Sequence, residues 1–187
     1  MHRFILAAIT LASCSFFSFS FYTTLGFDLS KMPKVDVVID KMLGNTLTEL
    51  QTIFQPLSII GVGGSQDNKQ ETKITVSFVL KRPLTKGECR KLLVISAEAL
   101  LKNINQNEDL KPYLCHIPFT YRDIEIYFIL NHFNGSDIKY PDISTISLIK
   151  GVIDYDTSDP NDPDKYNTEL ELYKDALQIV CDQKLAG

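Results

Sequence analysis

The residues with the clearest potential for metal chemistry form an acidic stretch near the C-terminus. Residues 154–164 read DYDTSDPNDPD, and Asp154, Asp156 and Ser158 have the spacing of the first three oxygen ligands in an EF-hand calcium loop. The sequence then departs from that loop, because it has no glycine at the sixth position and Lys165 replaces the bidentate glutamate at the twelfth. Aspartate and proline are also typical of an exposed turn before a helix. A solvated turn is therefore favoured over a weak calcium site.

Nucleophilic catalysis is a second chemistry that the sequence offers. Cys115 and His116 are the residue types of a thiol–imidazole pair. Adjacent side chains in an extended segment point to opposite faces, however, so the sequence disfavours a direct contact between these two. Whether His132 meets either of them depends on the fold. An exported enzyme in which His116 or His132 converges with carboxylates is kept as an alternative, and no catalytic residue is assigned.

The N-terminus has the composition of an export signal. A positively charged start at residues 1–3 precedes an apolar run, FILAAITLA, of the length of a signal-peptide core. Leu11-Ala12-Ser13-Cys14 follows, and this tetrapeptide resembles the lipobox of bacterial lipoprotein signal peptides. The resemblance, which covers only the first fourteen residues, implies that diacylglycerol alkylates the Cys14 thiol and that the chain is cut before it. Residues 1–13 are then the signal peptide, 14–30 the lipidated cysteine and a tether, and 31–187 a single domain.

Three other interpretations of the N-terminus stay open. Residues 4–27 carry no charge and are long enough to cross a bilayer as an uncleaved anchor, although serine and threonine are frequent in their second half. The second of these interpretations is a secretory signal that is cut between Ser13 and Gly26. The third is a cytosolic chain with a buried N-terminus. The lipoprotein interpretation places the domain outside the cytoplasm in a bacterial cell envelope, anchored to the inner or the outer membrane.

The remaining cysteines indicate little by themselves. Without Cys14 the chain keeps Cys89, Cys115 and Cys181, which allow at most one intramolecular disulfide. No pair has the close spacing of a zinc or redox motif. Cys89 and Cys181 are expected to be small buried side chains on helices. A disulfide between two of the three stays possible, because export exposes thiols to an oxidising compartment.

Composition and charge limit the number of domains and the kinds of partner that are expected for this chain. A chain of 187 residues with 44% hydrophobic side chains is long enough for one domain with a real core. Its formal net charge is −4, and its basic residues are not gathered into a stripe, so nucleic-acid binding has little support. An acidic domain is not attracted to anionic lipid by its charge, so a lipid anchor would have to hold it at a membrane.

Three helices are predicted from apolar spacing and capping signals. Apolar residues at helical intervals predict a helix over residues 35–54, which Pro56 ends. Thr85 and Glu88 match a capping box and predict a helix that ends within residues 103–107. Asp162-Pro163 resembles a helix start, so the last helix is predicted to bury Tyr166, Leu170, Tyr173, Ala176, Leu177 and Val180.

Four strands are predicted from apolar runs and alternation. They cover residues 57–62, 74–80, 124–130 and 143–154, with a polar, glycine-bearing loop over residues 61–72. The element order is therefore α-β-β-α-β-β-α. Short links favour hairpins, so we expect an α+β fold with a four-stranded, mainly antiparallel sheet and about three helices on one face. The second face of that sheet would need cover or a partner.

The sequence thus favours a non-enzymatic, membrane-tethered binding or assembly module of a bacterial envelope. Its expected partners are the membrane, through the lipid on Cys14, and a protein or peptide, with no nucleic acid and no cofactor. Two alternatives are an exported enzyme with a histidine–carboxylate site and a calcium-dependent adhesion domain. The identity of the partner and the oligomeric state are not determined by the sequence.

Overall fold

A computed structural model describes residues 3–6, 34–162 and 165–185 as an α+β fold. Its helices are α1 (Lys34–Gln51), α2 (Lys86–Gln106) and α3 (Tyr173–Leu185), with a short 3-10 turn at Lys111–Tyr113. Its strands are β1 (Arg3–Leu6), β2 (Leu57–Asp67), β3 (Gln70–Leu80), β4 (Ile124–Leu130), β5 (Ile143–Ile149), β6 (Val152–Ser158) and β7 (Tyr166–Leu172). The mixed class agrees with the expectation from sequence.

The strands form one mixed sheet in which spatial order follows chain order. Six strands lie between residues 57 and 172, and the short β1 pairs with β2 at the edge, so the prediction of four strands was wrong. Strands β3 and β4 run parallel, while the other neighbouring pairs are antiparallel. The parallel pair arises because α2 lies between β3 and β4 and returns the chain to the same end of the sheet.

The predicted glycine-bearing loop is mostly strand. Residues 61–65 continue β2 and pair with β3, where Gly61 lies opposite Ser77 and Gly63 opposite Thr75. The reversal occurs at Asn68-Lys69, and both residues have positive φ angles of 48° and 68°. Such angles are typical of the tight turns that join hairpin strands. Glycine was therefore a misleading signal here, because cross-strand pairing outweighed its low strand propensity.

The C-terminal third also departs from the prediction. The single strand expected over residues 143–154 is a hairpin, turned at Lys150-Gly151, where both φ angles are positive. The helix expected to start near Asp162 begins only at Tyr173, because residues 166–172 form β7 and pair with β6 along its whole length. Apolar residues of β7 recur at an interval that also fits a helix, so periodicity alone did not separate the two.

The boundary of α2 was predicted correctly. The Thr85 hydroxyl accepts a hydrogen bond from the Glu88 amide at 3.3 Å, and the Glu88 carboxylate accepts one from the Thr85 amide at 2.9 Å. This reciprocal pair is the capping box expected from the sequence. The helix ends at Gln106, and its predicted apolar stripe is buried: Cys89, Leu92, Leu93, Ser96, Leu100 and Ile104.

The three helices cover one face of the sheet. Helix α2 lies between α1 and α3, above β4 and β5, while α1 packs near β2 and α3 follows directly from β7. The core between the layers includes Phe78 and Phe128, whose rings stack across the parallel pair with centroids 4.9 Å apart. The opposite face of the sheet carries no helix among the described residues.

Strand β7 is held against α2 by a partly buried network of charged and polar side chains. Arg90 donates from Nε to both carboxylate oxygens of Glu171, at 2.8 and 3.0 Å. The hydroxyl of buried Tyr155 donates to the same carboxylate at 2.5 Å. The side chains of Arg90 and Glu171 are only 19% and 13% exposed, so removing one partner leaves polar groups without compensation in a largely dry site.

Replacing Glu171 should therefore be more costly than replacing its neighbour on the same face. We expect Glu171→Ala to lower the free energy of unfolding by about 2–4 kcal/mol. Glu169→Ala is the matched control, since Glu169 pairs with Lys86 but its side chain is 70% exposed, and we expect a loss below about 1 kcal/mol. Urea denaturation of both variants measures the difference in the free energy of unfolding. Equal losses would contradict a stabilising role for the network of Arg90, Glu171 and Tyr155.

Candidate functional site

The predicted lipidation residue, Cys14, lies outside the described residues. The other cysteines, Cys89, Cys115 and Cys181, are free thiols, and no disulfide joins them. Cys89 is buried on α2 as expected, whereas Cys181 is exposed on α3, so its predicted burial was wrong. Within residues 34–162 and 165–185, no helix is both long and apolar enough to cross a membrane.

Cys115 and His116 make the contact that the sequence disfavoured. The Cys115 Sγ lies 3.0 Å from the Nδ1 of His116, and the His116 Nε2 lies 3.1 Å from the Oδ2 of Asp123. The segment bends instead of forming a regular strand, so adjacent side chains need not point to opposite faces. Pro112 and Pro118 flank the pair and were the available sequence signal against an uninterrupted strand. Asp123 was missed altogether.

The backbone around this cluster is attached to regular elements on both sides. The Cys115 amide donates to the Glu71 carbonyl of β3 at 3.0 Å, and the Ile74 amide of β3 donates to the Asp123 carbonyl at 3.0 Å. Between them, the side-chain amide of Asn105 on α2 bonds both the amide and the carbonyl of Phe119, at 2.7 and 2.9 Å. The cluster is therefore held by β3 and α2.

Asp123 is held in its ionised form. Partial burial opposes ionisation, but Oδ2 accepts from the amide and the hydroxyl of Thr120, both at 2.8 Å, and contacts His116. These interactions outweigh burial, and the pKa of the Asp123 carboxyl lies below its ordinary value. The His116 ring is 49% exposed and lies against Phe119, with ring centroids 5.2 Å apart. A carboxylate, an imidazole and a thiol are thus aligned at the surface.

The candidate calcium ligands are arranged differently from a binding loop. Asp154, Asp156 and Ser158 are alternate residues of β6, so neighbouring members lie about 6–7 Å apart along a strand. Oxygen ligands of one calcium ion must each lie within about 2.6 Å of it. Because residues 154–158 belong to strand β6, they are also not part of the solvated turn that the sequence favoured. No group of three or more His, Cys, Asp and Glu side chains in the described parts of the chain is placed to hold a metal ion.

The sheet face opposite the helices carries an apolar group of two exposed and two partly buried side chains, which we call the β7 patch. It consists of Ile149, Val152, Leu170 and Leu172. Ile149 pairs with Val152 and Val152 with Leu172, so the three occupy one row across β5, β6 and β7, with Leu170 beside them. Leu170 is 68% exposed and Leu172 47% exposed. Exposed apolar side chains on a sheet face, such as Leu170 and Leu172, are typical of an interaction surface.

Two carboxylates border the β7 patch. Asp154 lies opposite Leu170, and the Ser147 hydroxyl donates to it at 3.5 Å, while Thr168 donates to Asp156 at 2.6 Å. Partial burial and the nearby charge of Asp156 raise the pKa of the Asp154 carboxyl, and the bond from Ser147 opposes this only in part. The face therefore combines exposed apolar surface with two repelling negative charges.

The second predicted histidine, His132, lies elsewhere. It borders a surface depression of about 740 Å³ in the link between β4 and β5. The other residues that line this depression are Gly135, Ser136, Asp137, Lys139, Tyr140 and Asp142. The chain turns there at Asn134-Gly135, with φ of 85° at Gly135. The described residues therefore contain two histidine–carboxylate neighbourhoods, one at His116 and one at His132, and these do not form a single site.

Asp154 should make stability depend on pH. Because its pKa is higher in the folded chain than in the unfolded chain, the folded state binds more protons between the two values, and stability falls as pH rises through them. We expect Asp154→Asn to raise the free energy of unfolding at pH 7 and to flatten the decline that begins as pH rises above about 4. Thermal denaturation across this range measures it, and the exposed Asp109→Asn is the control. An unchanged slope would contradict the assignment.

Comparison with known proteins adds no functional assignment to these sites. No protein-family model matches the chain, and neither a curated protein nor a solved structure shows significant similarity to it.

Proposed function

We propose that this chain is a lipid-tethered protein of a bacterial envelope whose folded domain binds a protein partner through the β7 patch. The lipobox-like residues at Leu11–Cys14 support the tether. The arrangement of β7 supports the binding role, and it is the observation that carries the proposal. Glu169 and Glu171 of this strand face the helices, whereas Leu170 and Leu172 face away from them.

This arrangement is the reverse of what a sheet with one solvated face normally shows. Such strands place apolar residues toward the core and polar residues toward water. Leaving Leu170 and Leu172 in water forgoes the free energy of burying them, which is roughly 1.5–3 kcal/mol for a fully buried leucine. A partner that covers the β7 patch recovers that free energy on binding.

The charges beside the β7 patch indicate which side chains a partner would place against it. Asp154 and Asp156 repel one another, and the described residues provide hydroxyl donors to them but no ion pair. Lysine or arginine on the partner would relieve this repulsion and complement the negative face. The partner segment therefore combines apolar and basic side chains, and it approaches the face of β6 and β7 on which the described residues place no helix.

Processing before Cys14 would also change the sheet. Strand β1 (Arg3–Leu6) pairs with residues 61–64 of β2, and it belongs to the part of the chain that the signal peptidase would remove. In the processed protein β2 would then be the edge strand, opposite the edge formed by β7. Removal of the signal peptide would thus expose the backbone edge of β2 while the domain stays tethered through Cys14.

The tether is tested at Cys14. In a bacterial host fed with an alkyne analogue of palmitate, the full chain should incorporate the label, fractionate with membranes and yield a mature N-terminus at a modified Cys14. Cys14→Ser should abolish labelling and leave the chain uncut, because serine lacks the sulfur that accepts the lipid. Cys181→Ser is the control and should behave as the parent. An unmodified N-terminus beyond Cys14 would refute the tether.

The binding surface is tested with two synthetic peptides of equal length. One alternates leucine with lysine, the other leucine with glutamate, and fluorescence anisotropy measures their binding to the domain. The lysine peptide should bind more tightly, and Leu170→Ser should weaken it about tenfold, since one exposed leucine contributes on the order of 1–2 kcal/mol when covered.

A charge-matched control separates the patch from the net charge of the domain. Asp154→Asn with Asp156→Asn should weaken binding of the lysine peptide and reduce its dependence on salt. Glu108→Gln with Asp109→Asn removes the same charge from an exposed loop and should have a much smaller effect. Equal effects of the two double variants would show that the peptide responds only to net charge, and would contradict the proposed surface.

A further inference from the structure

Cys115, His116 and Asp123 form a chain of hydrogen bonds that the binding role leaves unused. The Asp123 carboxylate can only accept hydrogen bonds, so the His116 Nε2, at 3.1 Å, must carry a hydrogen. In a neutral imidazole the other nitrogen is then unprotonated. The His116 Nδ1 therefore presents a lone pair to the Cys115 thiol at 3.0 Å and accepts its hydrogen.

This order of groups is the one that nucleophilic catalysis requires. A nucleophile contacts a base, and a third group orients that base and selects its tautomer. The positions are preorganised, because β3 holds the backbones of Cys115 and Asp123 and α2 holds Phe119, on which the His116 ring lies. Preorganised geometry of this kind is what separates a catalytic cluster from a chance contact on a mobile surface.

We propose that Cys115 is the nucleophile of an acyl-transfer site that takes the acyl group of an ester or thioester, with His116 as its base and Asp123 as the residue that positions His116. This activity is independent of the lipid on Cys14 and of the β7 patch. The cluster lies in the connection between α2 and β4, and none of its three residues belongs to the strands that carry the patch.

The proposed reaction has two balanced steps. In the first, the thiol proton moves to the His116 Nδ1, the sulfur bonds to the carbonyl carbon, and the bond from that carbon to the leaving oxygen or sulfur breaks as His116 returns the proton to the leaving group. In the second, water gives a proton to His116 and its oxygen bonds to the same carbon. The bond to sulfur then breaks, and Cys115 recovers its proton, releasing a carboxylic acid.

The surroundings of the cluster indicate what kind of substrate it accepts. His116 is about half exposed and Cys115 is partly buried, so an acyl group can approach from solvent without entering a closed cavity. The depression at His132 belongs to another loop. An open site of this kind suits an acyl group carried on a larger molecule, because the site need not enclose the whole substrate.

The proposal is tested on the full chain with p-nitrophenyl acetate. Release of nitrophenolate should coincide with an acetyl group on Cys115, located by peptide mapping after a rapid quench. Two thiols are internal controls, since Cys181 is exposed on α3 and burial raises the pKa of Cys89 to about 12. Neither should be acetylated at a comparable rate, and Cys181→Ser should leave the rate unchanged. Cys115→Ser should abolish the rapid phase.

The roles of the other two residues have their own measurements. His116→Ala should slow acetylation of Cys115 about 100-fold, and added imidazole should restore part of the rate, which a purely structural histidine would not allow. Asp123→Asn keeps an oxygen that can accept from the Thr120 amide and from the Nε2 of His116, but it removes the negative charge that stabilises protonated His116. It should lower the maximal acetylation rate at least about tenfold while the half-saturating ester concentration stays the same.

Acetylation of Cys115 no faster than that of Cys181 would overturn the proposal, and so would an unchanged rate in His116→Ala. Circular dichroism of each variant establishes that it is folded. Since neither Cys14 nor the β7 patch is altered in these variants, membrane attachment and peptide binding should remain at parental levels whatever the esterase result.

Discussion

The parallel pairing of β3 with β4 is the constraint on which the rest of the structure depends. Two parallel neighbours cannot be joined by a tight turn, so the chain must cross over through α2 and return to the starting end of β3. That return brings residues 114–123 alongside β3, where Glu71 and Ile74 bond to Cys115 and Asp123. The thiol, imidazole and carboxylate meet because this crossover ends there.

The same crossover divides the sheet into two unlike faces. With α2 central above β4 and β5, the helix-covered face is closed by α1 on one side and α3 on the other. On this face the Arg90–Glu171–Tyr155 network substitutes for apolar packing at the last strand. The Glu171 carboxylate accepts hydrogen bonds from both Arg90 and Tyr155, so β7 is held against α2 by charge while its leucines lie on the opposite face.

The two proposed roles, partner binding and acyl transfer, use different residues of the fold. The β7 patch is a feature of the sheet edge and depends on strand register, since a shift of one residue would exchange Leu170 and Leu172 for Glu169 and Glu171. The Cys115 cluster depends on side-chain hydrogen bonds within a connection. A tethered domain with both features would hold a partner at one edge and present a nucleophilic thiol in the connection that leads into β4.

The sequence by itself determined the local features. Capping by Thr85 and Glu88, the stripe of α2 and the alternation of β4 arise from contacts within a few residues, so they were read correctly. Pairing between distant segments was decided only by tertiary structure. It turned residues 61–65 and 166–172 into strands, set β3 parallel to β4, and brought Asp123 to His116, because each depends on partners that no local pattern specifies.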